Sequence, residues 1–399
     1  MFPILLAAPG VFCAGCAVYL LILAAASVPR RREAPGPAAE AKDRLLVLVP
    51  AHNEEVLIAR SVQSLIGQTY PRELFRVVVI ADNCTDRTAS AAVEAGAEVM
   101  VRTEPAAMGK GQALRWAMDR VLAAPDRPDA IVVVDADSIA DPDLVAALAA
   151  EMRAGHDVVQ ADYSLLGVDG SPRSELLSAA FLLFHRVRFN GRARLAMAAN
   201  LVGNGMLFRS SVLESHPWDA FTGVEDLEYS LRLRLAGVRP WFAPGAHVAG
   251  PGPASSPGAL RQRVRWEGGR FYVVRRYLVK LVAAAATRRD FSLLDAAIDL
   301  ATPPLGLLTL ATVGGLVATI VAIAAGGVAP ASVLIPWAVA TVALPGFVVI
   351  GLWSAGEKDE IWRLAFAAPG FLMWKLGAYL GMLRGHDVRR WDRTDRVLS

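Results

Sequence analysis

Ile131-Val132-Val133-Val134-Asp135-Ala136-Asp137-Ser138 is the stretch on which the fold turns. Four consecutive branched apolar residues read as a strand buried on both faces, and such strands belong to parallel sheets covered by helices. The two carboxylates then leave the sheet at its carboxyl edge, where open α/β folds bind ligands. Phe75 to Ala81 repeats the pattern and delivers Asp82 to the same edge. Working outward, strand-like runs at Arg44 to Pro50, Ala97 to Arg102 and Val158 to Ala161 alternate with helical patterns at Glu54 to Gly67, Asp86 to Ala95, Lys110 to Leu122 and Asp141 to Met152. Repeated strand-then-helix units predict an α/β domain with a mostly parallel sheet and right-handed crossovers. Carboxylates gathered at its edge suit a nucleotide and a metal ion. No Gly-x-Gly-x-x-Gly follows the first strand and no Gly-x-x-x-x-Gly-Lys-Ser/Thr occurs, which disfavours a dinucleotide dehydrogenase and a P-loop ATPase.

Composition adds a membrane. Of the 399 residues 54% are hydrophobic, high for a soluble enzyme, and 20% are charged, high for a pure membrane bundle. Phe2 to Val28 carries no charge, and at about 1.5 Å per helical residue it crosses a hydrocarbon core of roughly 30 Å. Arg30-Arg31-Arg32 follow, so the positive-inside tendency places the next segment in the cytoplasm. No Asp, Glu, Lys or Arg lies between Asp299 and Glu357, which leaves room for spans near Leu305 to Ala325 and Ser332 to Trp353. Ile361 to Leu383, interrupted by Arg363 and Lys375, reads as an interfacial or re-entrant helix before a basic cytoplasmic tail, Arg384 to Arg396. The expected organisation is an anchor (1–29), a linker (30–43), a cytoplasmic domain (44–256), interfacial helices (257–300), two spans (301–356), and a final helix and tail (357–399). The N-terminus is expected outside and the C-terminus inside a cell membrane. Cys13 and Cys16 fall in the first span and Cys84 in the cytoplasmic part, so no disulfide framework is read.

Short motifs then follow in order. They are Val49-Pro50-Ala51-His52-Asn53-Glu54-Glu55, Asp82, Met108-Gly109-Lys110-Gly111 with Ala113 and Leu114, Asp135-Ala136-Asp137, Glu225-Asp226, and Gln262 with Arg265 and Trp266. Over roughly Leu45 to Tyr277 this series resembles the family 2 glycosyltransferases, specifically the membrane-bound branch of bacterial cellulose, hyaluronan and poly-N-acetylglucosamine synthases. One Asp-x-Asp is weak; an ordered set framed by spans is specific. The resemblance implies a GT-A-like nucleotide-sugar-binding domain inserted between transmembrane helices. It implies donor contacts from Pro50, His52, Glu54, Asp82 (to the base), Lys110 and Asp135. It implies acceptor or product contacts from Gly203, Asn204, Glu225, Gln262, Arg265 and Trp266.

The chemistry is compatible with that assignment. Two phosphates gain charge as a sugar leaves a nucleoside diphosphate, and Mg²⁺ or Mn²⁺ held by carboxylates and phosphate oxygens offsets it. Asp137 is the candidate ligand; Asp135 supports the ribose or a metal-bound water, and the two roles are exchangeable. Read without the resemblance, the same pair also suits the start of a helix. Asp226 opens a helical run and fits a general base that takes the acceptor hydroxyl proton. Glu225 and Glu228 compete with it on residue type alone; the resemblance puts the base on the second residue of the Glu-Asp pair, with inversion at the anomeric carbon. Trp266 suits stacking on a sugar ring and Arg265 a pyrophosphate, on a basic and aromatic helix fit for a membrane surface. Glu175 to Leu195 is a second interfacial candidate. His247 has the chemistry of a further metal ligand, but an ordinary structural histidine is the preferred reading.

The expected activity is an inverting β-glycosyltransferase that uses a nucleoside-diphosphate sugar, a UDP-sugar by preference, to elongate a cell-surface or exported polysaccharide. Addition of one sugar to a lipid-linked acceptor is the alternative, and an inactive membrane scaffold or transporter subunit the reading from another class. Expected partners are the donor, the polysaccharide or lipid-linked acceptor, membrane lipid, and an export partner or a second copy, because three spans are few for a channel. No nucleic acid is expected.

Overall fold

The structure is a computed structural model, and it describes residues 2–28, 42–166, 172–252, 256–325, 331–357, 361–363, 370, 373, 376 and 377. Most of the linker, most of Ile361 to Leu383 and the whole basic tail lie outside the described residues. Contacts divide the rest into two units. The described residues within Glu33–Gly167 and Met197–Ala284 form an α/β unit, and those within Met1–Arg32, Val168–Ala196 and Ala285–Asp387 form a helical unit.

Among the described residues the α/β unit holds one eight-stranded sheet. Its strands are β1 (Leu45–Ala51), β2 (Phe75–Asp82), β3 (Glu98–Arg102), β4 (Ala130–Val133), β5 (Ile139–Ala140), β6 (Val158–Leu166), β7 (Met206–Arg209) and β8 (Trp241–Pro251), in the spatial order 3-2-1-4-7-6-8-5. β3, β2, β1 and β4 are all parallel, as the strand-then-helix pattern predicts. β7 then runs antiparallel to both β4 and β6, so the complete sheet is mixed. Alternation along β1 shows why both faces are covered. Leu45, Val47 and Val49 enter one core with Ile58, Val62 and Leu148, while Leu46 and Leu48 enter the other with Leu114, Phe208 and Tyr229. Burying each such side chain contributes about 1.5–3 kcal/mol, and a one-residue slip would exchange the two sets.

The helical unit contains three helices long and apolar enough to cross a membrane: Ala7–Ser27, Leu305–Ala324 and Ser332–Ala355. It also contains Pro172–Leu182, a π-helical turn at Leu183–Val187, and Arg188–Arg194. The sequence pattern places this basic segment at an interface, but two of its arginines are inside. Arg188 pairs with Asp299, Arg192 Nη1 donates to Asp295 Oδ2 at 2.7 Å, and Tyr19 donates to Asp295 Oδ1 at 2.9 Å. The helix Phe291–Ala301 carries both acceptors. Two cations balanced by two anions offset part of the cost that keeps lone charges at surfaces.

Candidate active site

The carboxyl ends of β1, β2 and β4 and the N-termini of two helices build the site. Asn53 and Asn83, directly beyond β1 and β2, adopt left-handed backbone (φ 55° and 50°), which asparagine tolerates. Asn53 Oδ1 accepts from the Thr85 N–H at 2.8 Å, which ties the turn after β1 to that after β2, and Asn83 Oδ1 accepts from the Glu104 N–H at 2.7 Å, which ties the latter to the segment after β3. Pro50 lies opposite Ile80 near the end of β1. His52 Nδ1 is 2.7 Å from the Asp82 carbonyl, and the Glu54 N–H donates to Thr88 Oγ1 at 2.7 Å. The His52 ring and the Glu54 backbone therefore help to hold the first turn.

Asp82 is buried. Arg102, aligned with it across β2 and β3, donates from Nη1 to Oδ1 at 2.5 Å and from Nη2 to the Ala107 carbonyl at 2.8 Å. Among the described residues the other oxygen, Oδ2, is buried with no hydrogen-bond partner. An acceptor buried without a donor is costly, and the N–H of a base would satisfy it. Sequence reading passed over Arg102 as the end of a strand. Its alignment with an acidic residue on the neighbouring strand was the available signal.

Asp135 and Asp137 occupy the turn from β4 to β5, and the next helix begins only at Leu144. The pair is therefore not a helix cap. Lys110, the first residue of Lys110–Ala123, pairs through Nζ with Asp135 Oδ1 and donates to the Gly203 carbonyl at 2.6 Å. Burial disfavours its ammonium, but Asp135, Glu225 and Asp226 outweigh burial and raise its pKa. Asn204, also buried, accepts the Asp135 N–H at 3.1 Å and donates to Ser138 Oγ at 2.8 Å. Gly203 has φ +86°, and a Cβ there would lie 3.1 Å from Asp226 Oδ2 and 3.5 Å from Lys110 Nζ. Glycine alone fits at this convergence.

Glu225 and Asp226 begin the helix Glu225–Leu235. Asp226 Oδ1 accepts the Leu227 N–H at 2.8 Å, while burial and the neighbouring Glu225 push its pKa up to about 7. A carboxylate held there exchanges a proton near neutral pH. Glu228, the local competitor, is buried and accepts a hydrogen bond from the Tyr277 hydroxyl at 2.9 Å. His247 follows a bulge where β8 carries three more residues than β6, and its Nδ1 lies 3.2 Å from Asp162 Oδ2. Among the described residues no three His, Cys, Asp or Glu side chains form a metal cage.

Gln262, Arg265 and Trp266 fall on the helix Ser256–Arg288, but their side chains lie outside those described. Three residues beyond Trp266, a Cβ on Gly269 would lie 2.9 Å from Val224 Cγ1, directly before Glu225. This helix therefore approaches the acidic pair closely.

A family model described as Glycosyltransferase like family 2 matches residues 43–269. The probable glycosyltransferase YdaM of Bacillus subtilis is 28% identical over 259 residues, covering 63% of this chain and 60% of its own length. The beta-monoglucosyldiacylglycerol synthase of Nostoc is 27% identical over 235 residues, covering 56% of this chain and 48% of its own. The chain thus spans about half to three-fifths of these relatives. Among solved structures, the mannosyltransferase PcManGT of Pyrobaculum calidifontis, in complex with GDP-Man and Mn²⁺, superposes with a TM-score of 0.51 at 21% identity, covering 91% of this chain and 98% of that one. That likeness bears on the fold, which is GT-A-like. With more than half of its length matched by the family model, the chain belongs to the glycosyltransferase-like family 2.

Proposed function

We propose that this chain is a membrane-bound inverting glycosyltransferase that moves one sugar from a nucleoside diphosphate to the hydroxyl of a lipid-linked acceptor. The observation that carries the reading is the convergence of Lys110, bonded to Asp135 and to the Gly203 carbonyl, with Asp226, whose Oδ2 packs against the face of Gly203. In this reading Asp82 and Arg102 receive the base, Lys110 steadies the diphosphate, and Asp226 takes the acceptor proton during direct attack on the anomeric carbon. Asp137 would hold Mg²⁺ or Mn²⁺, with Asp135 beside it. Two carboxylates completed by phosphate oxygens fit such an ion, which uses no all-protein cage. When bound, the metal offsets the charge that develops on the leaving diphosphate.

Two observations favour a lipid acceptor: the named diacylglycerol glucosyltransferases among the relatives, and the three apolar helices. Polysaccharide elongation is the second reading. It draws on Gln262, Arg265 and Trp266, whose helix reaches the acidic pair at Gly269. We place the α/β unit in the cytoplasm on the strength of Arg30 to Arg32. The test is to incubate membranes containing the protein with a panel of labelled UDP- and GDP-sugars, Mg²⁺ or Mn²⁺ and diacylglycerol. A single sugar on an extractable lipid is expected. A product of many sugars would transfer the assignment to the second reading, and donor left intact with every sugar would end both.

A further inference from the structure

We propose that Asn204 is a positioning residue for the divalent cation: acting through Ser138, it fixes the orientation of the Asp137 carboxylate. This rests on the reading of Asp137 as the metal ligand given above. Asn204 and Ser138 are both fully buried. Neither side chain has surface with which to meet a substrate, so each acts through its neighbours. Their hydrogen bonds run in one direction. The Asp135 N–H can only donate, so the Asn204 atom 3.1 Å from it is the oxygen Oδ1. The amide nitrogen therefore faces Ser138 and donates to its Oγ at 2.8 Å. A hydroxyl has one proton, and with Asn204 donating to it Ser138 donates onward, to Asp137 Oδ1 at 3.3 Å.

The relay thus spans the turn from Asp135 to Ser138, which the Ser138 N–H closes by donating to the Asp135 carbonyl at 3.1 Å. Gln160, also fully buried, anchors its origin: Nε2 donates to the Asn204 carbonyl at 2.7 Å and Oε1 accepts the Val202 N–H at 3.0 Å. A carboxylate free to rotate presents its lone pairs in many directions, whereas a donor fixed on Oδ1 leaves it one. Loss of such outer support costs a metal site about 10–100-fold in affinity. The residue before Asn204 gives its carbonyl to Lys110 and its face to Asp226 Oδ2. Asn204 therefore sets the turn that carries Asp137 in register with the candidate base.

The test uses the full-length chain in detergent with Mn²⁺ and either UDP or GDP. Free Mn²⁺ is read from its electron paramagnetic resonance signal, and nucleotide affinity is measured separately in EDTA. Asn204→Ala and Ser138→Ala should each weaken Mn²⁺ binding by about tenfold or more. The double variant should lose no more than the weaker single one, because a single relay is then cut in two places. Nucleotide affinity in EDTA should stay within a few-fold of wild type. Ser138→Ala removes only a hydroxyl, so it carries the test should Asn204→Ala fail to fold. Unchanged Mn²⁺ affinity in Ser138→Ala, or additive losses in the double variant, would overturn the proposal. So would an equal fall in EDTA, the mark of a general loss of the nucleotide site, or a wild type that takes up no Mn²⁺ with either nucleotide. None of these measurements transfers a sugar, so failure of the labelled-sugar assay and failure of the relay are told apart.

Discussion

Replacing Asp226 with asparagine should cost the reaction and strengthen the fold. Its carboxyl has an ordinary value of 3.8, which burial and Glu225 push up to about 7. Between those values the folded chain retains a proton that the unfolded chain has released, so stability falls as pH rises from about 4 to 7 and the full cost persists above. Linkage at about 1.4 kcal/mol per pH unit caps that cost at about 4 kcal/mol. Partial contact of the side chain with solvent reduces it to about 1–2 kcal/mol. Asp226→Asn keeps an oxygen for the Leu227 N–H and has no charge to bury. Its Tm should exceed that of the wild type by a few degrees at pH 8 and match it near pH 4. Sugar transfer should fall by about 10²–10⁴-fold, the usual worth of a general base, with nucleotide affinity within a few-fold of wild type. Wild-type kcat/KM should drop tenfold per unit below about pH 7, because only the ionised carboxylate accepts a proton. Calorimetry from pH 4 to 9 and an assay of nucleotide release measure both arms. Unchanged turnover in the variant, or wild-type stability that is flat between pH 4 and 7, would refute the reasoning.

Asp137→Ala should weaken metal-dependent donor binding by about tenfold or more, since the diphosphate would face the remaining carboxylates uncompensated; titration with Mn²⁺ and labelled nucleotide tests this, and normal metal-independent turnover contradicts it. Arg102→Met should leave Asp82 buried without its counter-charge, destabilising the α/β unit by about 3–5 kcal/mol and lowering nucleotide affinity. Arg102→Lys should recover only part of both, because one ammonium cannot serve Asp82 and the Ala107 carbonyl in a fixed fork; wild-type affinity in the methionine variant removes Arg102 from the donor site. In the helical unit, Asp299→Ala should destabilise by about 3–5 kcal/mol by stranding Arg188 and withdrawing one partner of Arg192, whereas Arg188→Met/Asp299→Leu should cost less, since Arg192 keeps Asp295. Equal losses in the single and double variants would show that packing, rather than the stranded charge, sets the cost.

The parallel half of the sheet was legible because β1, β2 and β4 are apolar on both faces, a pattern that only a two-sided core demands. Asp82, Asp135 and Asp137 follow from those strands by simple continuation. β7 was not legible: it has four residues and comes straight out of the turn at Gly203 and Gly205, too short for any period to register. β8 hides behind Pro244 and Gly245, which read as a loop but sit in its bulge. Asp226 and Glu228 look alike in the sequence. Tyr277, 49 residues on, shows that the second carboxylate is occupied. The inward turn of Arg188 and Arg192 has the same origin, because their acidic partners lie more than a hundred residues away.

The place of β7 between β4 and β6 has a consequence for synthesis on the ribosome. Chain up to β4 can assemble its parallel strands as it emerges, but the outer edge of β4 is paired by Met206–Arg209, about seventy residues later. At roughly 5–20 residues per second, Ile131, Val132 and Val133 present an open, strongly apolar strand edge for about 4–14 s. During that interval the nascent chain offers a template for strands of its neighbours on the same polysome, so its yield should depend on translation speed across residues 134–205 and on chaperones that shield strand edges.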